Sequence, residues 1–193
     1  MKFVLGNRIS TEKDIIICAE KNKIDFICIA TQGAGLLRKI MGTHTSYIVN
    51  NSNVPVMVIP SHYSDKTHKK ATYLSDLENL KNEVFKISKL STAIALHLEV
   101  LHYSSIVRDK KKFEKNKELF NTKEFENIKL NIQKNNLELS LIDRFTKYVQ
   151  KSKPELLIMF TNRKKGFFES IFLPSKSAEL TYTIKVPVLI FSK

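Results

Sequence analysis

Residues 25–60 constrain the fold more than any other stretch of the sequence. A short apolar run at residues 26–30 predicts a strand that is buried on both faces. A glycine turn follows, then a predicted helix from Thr43 to Asn51, and then a second apolar run at residues 54–59. Strand, turn, helix and strand in this order make a βαβ unit, and such units build parallel sheets.

The glycine-containing turns of this unit form a candidate ligand site. In open parallel sheets, ligands lie beyond the carboxyl ends of the strands, here at residues 30–33. Gly33 has no Cβ, so a phosphate could approach its backbone closely. Gly42 and Thr43 precede a helix, where unpaired amides and the positive end of the dipole favour an anion. The alternative is that these glycines only allow tight turns, because short glycine motifs are weak on their own.

These residues resemble the universal stress protein family, which carries G-x-x-G, nine residues, G-S/T, a helix and a terminal P-V-L-V-V strand. The matching residues are 30–33, then eight residues, Gly42 and Thr43, and the strand at 55–58. Ala30 replaces the first glycine, and the spacer is one residue short. The resemblance covers residues 2–60. It implies an open parallel α/β sheet with flanking helices, adenine-nucleotide α-hydrolase-like and Rossmann-like, and weak adenine-nucleotide binding at Gly33, Gly42 and Thr43.

The second part of the chain repeats the first. Residues 25–32 match residues 155–162, and residues 54–59 match residues 186–191. We therefore predict two tandem repeats, of which the first is truncated. Residues 1–60 are the C-terminal half of the first repeat, residues 61–69 a linker and residues 70–193 a complete second repeat. In the family, domains pair through antiparallel contact of their terminal strands, so residues 54–59 and 186–191 are expected to pair within one chain.

The second repeat carries a degenerate version of the family's nucleotide site. Asp76 follows a predicted strand at residues 71–74, where the resemblance places an acidic contact. Arg163 stands where a loop glycine is expected and would obstruct a phosphate, and Pro174 removes an amide donor. ATP is thus a candidate ligand for two incomplete sites. No catalytic constellation or metal-ligand cluster is recognisable, so we predict a protein that is not an enzyme.

The truncated first repeat would expose a sheet edge and an apolar face. We therefore expect a homodimer, or a preceding segment, to cover residues 26–30 and 15–19. Cys18 and Cys28 lie among aliphatic residues and are predicted to be inert core positions. The sequence has no apolar run near the roughly 18 residues of a membrane span and no secretory signal, so a cytoplasmic protein is expected.

The formal net charge of +13 could indicate a nucleic-acid or anionic-membrane partner. The positive residues are nearly all lysines and are scattered, and no nucleic-acid-binding motif accompanies them. We therefore expect neither a membrane partner nor a specific nucleic acid. The first functional hypothesis is a non-enzymatic stress-response or regulatory protein, and the alternative is a lysine-rich nucleic-acid-associated protein.

Overall fold

The computed structural model describes residues 12–31, 43–60, 63, 70–91, 97–104, 110–122, 125, 128–134, 138–161 and 186–193. The helices within them are α1 (Glu12–Lys21), α2 (Thr43–Asn51), α3 (Leu80–Ser91), α4 (Lys110–Lys117) and α5 (Leu141–Ser152), with a 3-10 turn at Glu118–Asn121. The strands are β1 (Ile27–Thr31), β2 (Val56–Pro60), β3 (Lys70–Leu74), β4 (His97–Ser104), β5 (Ile128–Lys134), β6 (Leu156–Thr161) and β7 (Val188–Ser192). None of the described helices is long and apolar enough to cross a membrane.

The described strands form one sheet in the order β1-β2-β7-β6-β3-β4-β5. β1 is parallel to β2, and the five strands from β7 to β5 are parallel to one another. β2 and β7 are antiparallel, with Val56 opposite Ile190 and Val58 opposite Val188. This register confirms the expected pairing of residues 54–59 with residues 186–191. The predicted open α/β sheet is also confirmed, but it is mostly rather than wholly parallel, because β1 and β2 run against the rest.

Two apolar clusters lie on opposite faces of the sheet, because successive residues of a strand point to opposite sides. The first face carries Leu157 and Met159, and α1, α2 and α5 pack on it. The second face carries Leu156 and Ile158, and α3 packs on it. β6 lies in the middle of the sheet, so all of its residues are buried. The helices contribute Ile16, Ala19, Ile48, Val49 and Phe145 to the first face, and Leu80, Val84 and Ile87 to the second.

Helix α5 is bounded by local signals in its own sequence. Ser140 is the N-cap, and its hydroxyl oxygen accepts a hydrogen bond from the backbone N–H of Asp143 at 3.1 Å. Such a cap contributes about 1 kcal/mol. Lys153 ends the helix in the left-handed region, with φ 48°, and its N–H donates to the carbonyl of Val149. Between these ends the apolar residues of α5 determine which face packs on the sheet, and Phe145 on that face is buried.

Strand β1 lies at one end of the sheet and differs from its prediction. Ile27 is buried, but Phe26 is 41% exposed and Cys28 is also exposed. The prediction that residues 26–30 are buried on both faces is therefore wrong, as is the core placement of Cys28. The physical reason is that β1 has a strand neighbour on one side only, and no described helix covers its second face. Cys18, on α1, is partly buried.

Candidate functional site

The order of the strands reverses between β6 and β3. From β3 the chain continues outward to β4 and β5, whereas from β6 it continues to β7 on the other side. In open α/β sheets the crevice outside the carboxyl ends of the strands at such a reversal is the usual ligand site. Asp76, predicted from the resemblance, follows β3 at this crevice, Thr161 ends β6 beside it, and Lys193 follows β7.

A lysine lies between two carboxylates in this crevice. The Nζ atom of Lys193 is 2.5 Å from Oδ2 of Asp76 and 3.3 Å from Oε1 of Glu83. The hydroxyl of Tyr73 donates a hydrogen bond to Oε2 of Glu83, whose side chain is only 2% exposed. The backbone N–H of Lys193 donates to the carbonyl of Thr161 at 2.9 Å, which holds residue 193 against β6. We call Tyr73, Asp76, Glu83 and Lys193 the crevice cluster.

The charges of the crevice cluster support one another. Burial by itself would lower the pKa of Lys193, but the hydrogen bond to Asp76 and the charge of Glu83 outweigh it and raise that pKa. Burial by itself would raise the pKa of Asp76, but hydrogen bonds from Lys193 and from the backbone N–H of Glu78 lower it. Burial, and then the charge of Glu83, raise the pKa of Tyr73 well above its ordinary value. At neutral pH the cluster therefore holds a lysine cation, an Asp76 carboxylate and a neutral Tyr73 hydroxyl.

The loop that carries Asp76 is held from several sides. His102 Nδ1 lies 2.9 Å from the carbonyl oxygen of Ser75, and Nδ2 of Asn116 donates to the carbonyl of Leu77 at 2.9 Å. Nζ of Lys112, on α4, lies 3.2 Å from Oε1 of Glu78. Leu77 itself has a φ of 59°, a left-handed conformation that is uncommon for a branched apolar residue. Contacts from β4 and α4 therefore position Asp76 toward Lys193.

Sequence reasoning found Asp76 but missed its partners. Glu83 lies on α3 beside the apolar residues that face the core, and a carboxylate at such a position was a usable signal. Lys193 carried no signal, because it is 117 residues from Asp76 in the chain. Among the described residues, no group of histidine, cysteine, aspartate and glutamate side chains is suited to hold a metal ion.

The glycine site predicted in the first part of the chain falls mostly outside the described residues. Gly33 and Gly42 are outside them, as are Arg163 and Pro174 of the second loop. Helix α2 does begin at Thr43, as predicted. β1 and β2 run opposite to the other strands. The carboxyl end of β1 therefore points to one side of the sheet along the strand direction, and the Asp76 crevice lies at the other side.

Comparison with known proteins relates this fold and sequence to one family. The model of the universal stress protein family matches residues 8–60. The chain is similar to the crystal structure of a universal stress protein from Archaeoglobus fulgidus DSM 4304, with a TM-score of 0.64 and 15% identity, covering 94% of this chain and 65% of that one. It is also similar to the crystal structure of a functionally unknown protein from Pseudomonas aeruginosa PAO1, with a TM-score of 0.62 and 14% identity. That similarity covers 96% of this chain and 69% of the Pseudomonas chain. No curated protein matches the chain.

The sheet and its reversal crevice define an open α/β protein with flanking helices. The resemblance to the universal stress protein family is confirmed by sequence over residues 8–60, and the solved structures share the fold over most of the chain. The chain spans 65% of the Archaeoglobus structure. The division into two tandem repeats, with boundaries at residues 60 and 70, stays a prediction.

Proposed function

We propose that this chain acts as a non-enzymatic stress-response or regulatory protein, and that its Asp76 crevice is closed to ATP. The observation that carries the proposal is the position of Lys193 Nζ between Asp76 and Glu83. An adenine contact at Asp76 would have to displace this cation. Displacement would leave Glu83, at 2% exposure, without its ion pair, which costs about 1–3 kcal/mol or more.

The absence of catalysis is part of this proposal and rests on the chemistry of the described crevice. Its carboxylates are paired with Lys193, and the pKa of Tyr73 is raised well above the neutral range. The pKa of Asp76 is lowered and that of Tyr73 is raised, so both move away from pH 7, near which general acid–base catalysis is most effective. The family match supports a role in the stress response, and we place the protein in the cytoplasm on the same footing.

Residual phosphate affinity belongs to the glycine site that precedes α2 in the chain, and not to the Asp76 crevice. Helix α2 begins at Thr43, and the first amides of a helix bind anions. We therefore assign weak nucleotide binding to Gly33, Gly42 and Thr43.

Calorimetry with ATP and magnesium tests these assignments on three proteins: the unchanged chain, Gly33→Val and Asp76→Asn. We expect no micromolar binding to the unchanged chain. Any weaker binding should fall in Gly33→Val and persist in Asp76→Asn. Micromolar binding that disappears in Asp76→Asn would refute the closed crevice, and ATP hydrolysis above background would refute the non-enzymatic role.

We also propose that a second copy of the chain covers β1. Phe26 is 41% exposed, and Ile15 and Ile17 on the neighbouring helix α1 are 38% and 60% exposed. β1 reads ICIAT and carries no charge, whereas the opposite edge strand, β5, contains lysines. Natural sheets protect free edges with charged side chains, especially lysine. An uncharged edge of this kind is suited to antiparallel pairing with its own copy, and a preceding segment is the alternative occupant.

A further inference from the structure

A groove of about 470 Å³ lies on the first face of the sheet, between α5 and the edge strand β5. Its floor is formed by Glu99 and Tyr103 of β4 and by Asn131 and Gln133 of β5. The crevice cluster lies across the sheet from it, because Tyr73 packs on the second face and Glu83 belongs to α3, which covers that face. The sheet therefore separates the groove from the Asp76 crevice. This inference is independent of the function proposed above.

The floor of the groove is a connected chain of hydrogen bonds. Nε2 of Gln133 donates to Oδ1 of Asn131 at 2.7 Å, and Nδ2 of Asn131 donates to Oε1 of Glu99 at 2.9 Å. The hydroxyl of Tyr148, on α5, donates to Oε2 of Glu99. The Glu99 side chain is 11% exposed. Side chains held in this way are pre-organised to present their remaining acceptor sites to a ligand.

Strand β5 explains why this part of the sheet is polar. Its residues that share the second face, Ile128 and Leu130, pack against the apolar cluster there. Its alternate residues are Lys129, Asn131 and Gln133, which face the groove side. Helix α5 therefore does not extend the apolar core over β5 on the first face, and the uncovered strip is built from hydrogen-bonding groups.

The walls of the groove are strongly cationic. Arg144, Lys147 and Lys151 follow one another at spacings of three and four residues, which places them on one side of α5. Together with Lys70 and Lys134 they make five cations lining the groove, against the single carboxylate of Glu99. Such an excess attracts an anion, and the guanidinium of Arg144 suits a phosphate group especially well.

Three buried polar atoms of residues that line the groove lack partners. Nη1 of Arg144 and the hydroxyl oxygens of Tyr103 and Ser152 have no hydrogen-bond partner within the part of the chain that the structure describes. The guanidinium carbon of Arg144 lies 5.1 Å from the centre of the Tyr103 ring. Buried polar groups are normally satisfied, so these atoms point to a missing acceptor at the groove.

We propose that the groove binds a small hydroxylated phosphate ester, of the size of a sugar phosphate. The phosphate lies against Arg144, Lys147 and Lys151, and the ligand's hydroxyls donate to Glu99 and to the side-chain oxygen of Gln133. A bare polyanion would be repelled by Glu99, and a neutral sugar would leave the five cations unused. The groove is within the size range of small-molecule sites, which is about 300–1,000 Å³.

The experiment is an amide NMR titration of the full chain with three probes: ribose 5-phosphate, ribose and inorganic phosphate. We expect saturable shifts with ribose 5-phosphate that map to β4, β5 and α5. Ribose and inorganic phosphate should each bind at least about tenfold more weakly than ribose 5-phosphate, because each supplies only part of the contacts. Shifts centred instead on Asp76 or on the start of α2 would assign the ligand to the nucleotide sites and overturn the proposal.

Variants then separate specific from general charge effects. Lys147→Gln with Lys151→Gln should weaken ribose 5-phosphate binding by about tenfold or more, since charge-assisted hydrogen bonds are lost. The matched control, Lys81→Gln with Lys115→Gln, removes the same charge from exposed positions on α3 and α4 and should leave binding unchanged. An equal loss in the control would overturn the proposal.

A second pair of variants tests the floor. Glu99→Gln should weaken binding of ribose 5-phosphate without weakening binding of inorganic phosphate, because only ribose 5-phosphate carries the sugar hydroxyls that donate to Glu99. Gln133→Ala should also weaken binding of ribose 5-phosphate. Because Gln133 is exposed, this substitution should leave the protein folded. Absence of saturable binding, or binding of duplex DNA but not of ribose 5-phosphate, would refute a small-ligand groove.

Discussion

Replacing Lys193 with methionine tests the crevice cluster directly. The substitution keeps an unbranched side chain that is one atom shorter, and it removes the contacts at 2.5 Å to Asp76 and 3.3 Å to Glu83. The Asp76 side chain is 36% exposed, so its pair contributes no more than about 1 kcal/mol. The contact with Glu83 is a buried ion pair, and leaving that carboxylate oxygen without its partner costs about 1–3 kcal/mol. We expect the free energy of unfolding at pH 7 to fall by about 2–3 kcal/mol in urea denaturation.

The pH dependence of stability gives a second measure of the same cluster. The pKa of Asp76 is lowered on folding, so its contribution is present above the unfolded pKa and is lost as pH falls through the folded pKa. The pKa of Lys193 is raised on folding, so its contribution is present below the unfolded pKa and is lost as pH rises through the folded pKa. Lys193→Met should therefore make the free energy of unfolding depend less on pH, both in the acidic range and in the alkaline range.

Two controls decide whether the effect belongs to the cluster. Lys151→Met, at an exposed position on α5, should change the free energy of unfolding by less than about 0.5 kcal/mol. In a double-mutant cycle, Glu83→Gln and Lys193→Met should be non-additive by about 1 kcal/mol or more. A cost in Lys193→Met no larger than in Lys151→Met, or additive changes, would refute the ion-pair reasoning.

Three further predictions follow from the described contacts. Tyr73→Phe should lower the free energy of unfolding by about 1–3 kcal/mol in the same urea assay, since it leaves a buried oxygen of Glu83 without its donor; a neutral result would contradict that hydrogen bond. Light scattering at micromolar concentration should show a dimer that Ala30→Lys converts to a folded monomer, whereas Ile132→Lys on β5 should not; a monomeric unchanged chain would count against the β1 pairing. Short duplex DNA should bind weakly, without sequence preference, and dissociate as salt is added; sequence-selective binding at physiological salt would favour the nucleic-acid alternative.

Patterns over a few residues were enough to predict several elements of the fold. β6 reads LLIMFT and is buried throughout, as an apolar run without alternation indicates. The matching runs at residues 54–59 and 186–191 allowed the antiparallel junction of β2 and β7 to be expected, through the family resemblance. These predictions held because strand and helix formation depends on side chains two to four positions apart, which the sequence displays directly.

The tertiary structure alone decided the sites. The apolar run at β1 looks like that of β6, but β1 has one strand neighbour and an open face, so the exposure of Cys28 could not be predicted from its neighbours in sequence. Asp76 meets Lys193 across 117 residues, and Glu99 meets Tyr148 across 49. Which distant side chains meet depends on the order and direction of strands and on the helices that cover them. A charged residue therefore forms an ion pair, blocks a crevice or contacts a ligand only once the assembled sheet has brought the other groups beside it.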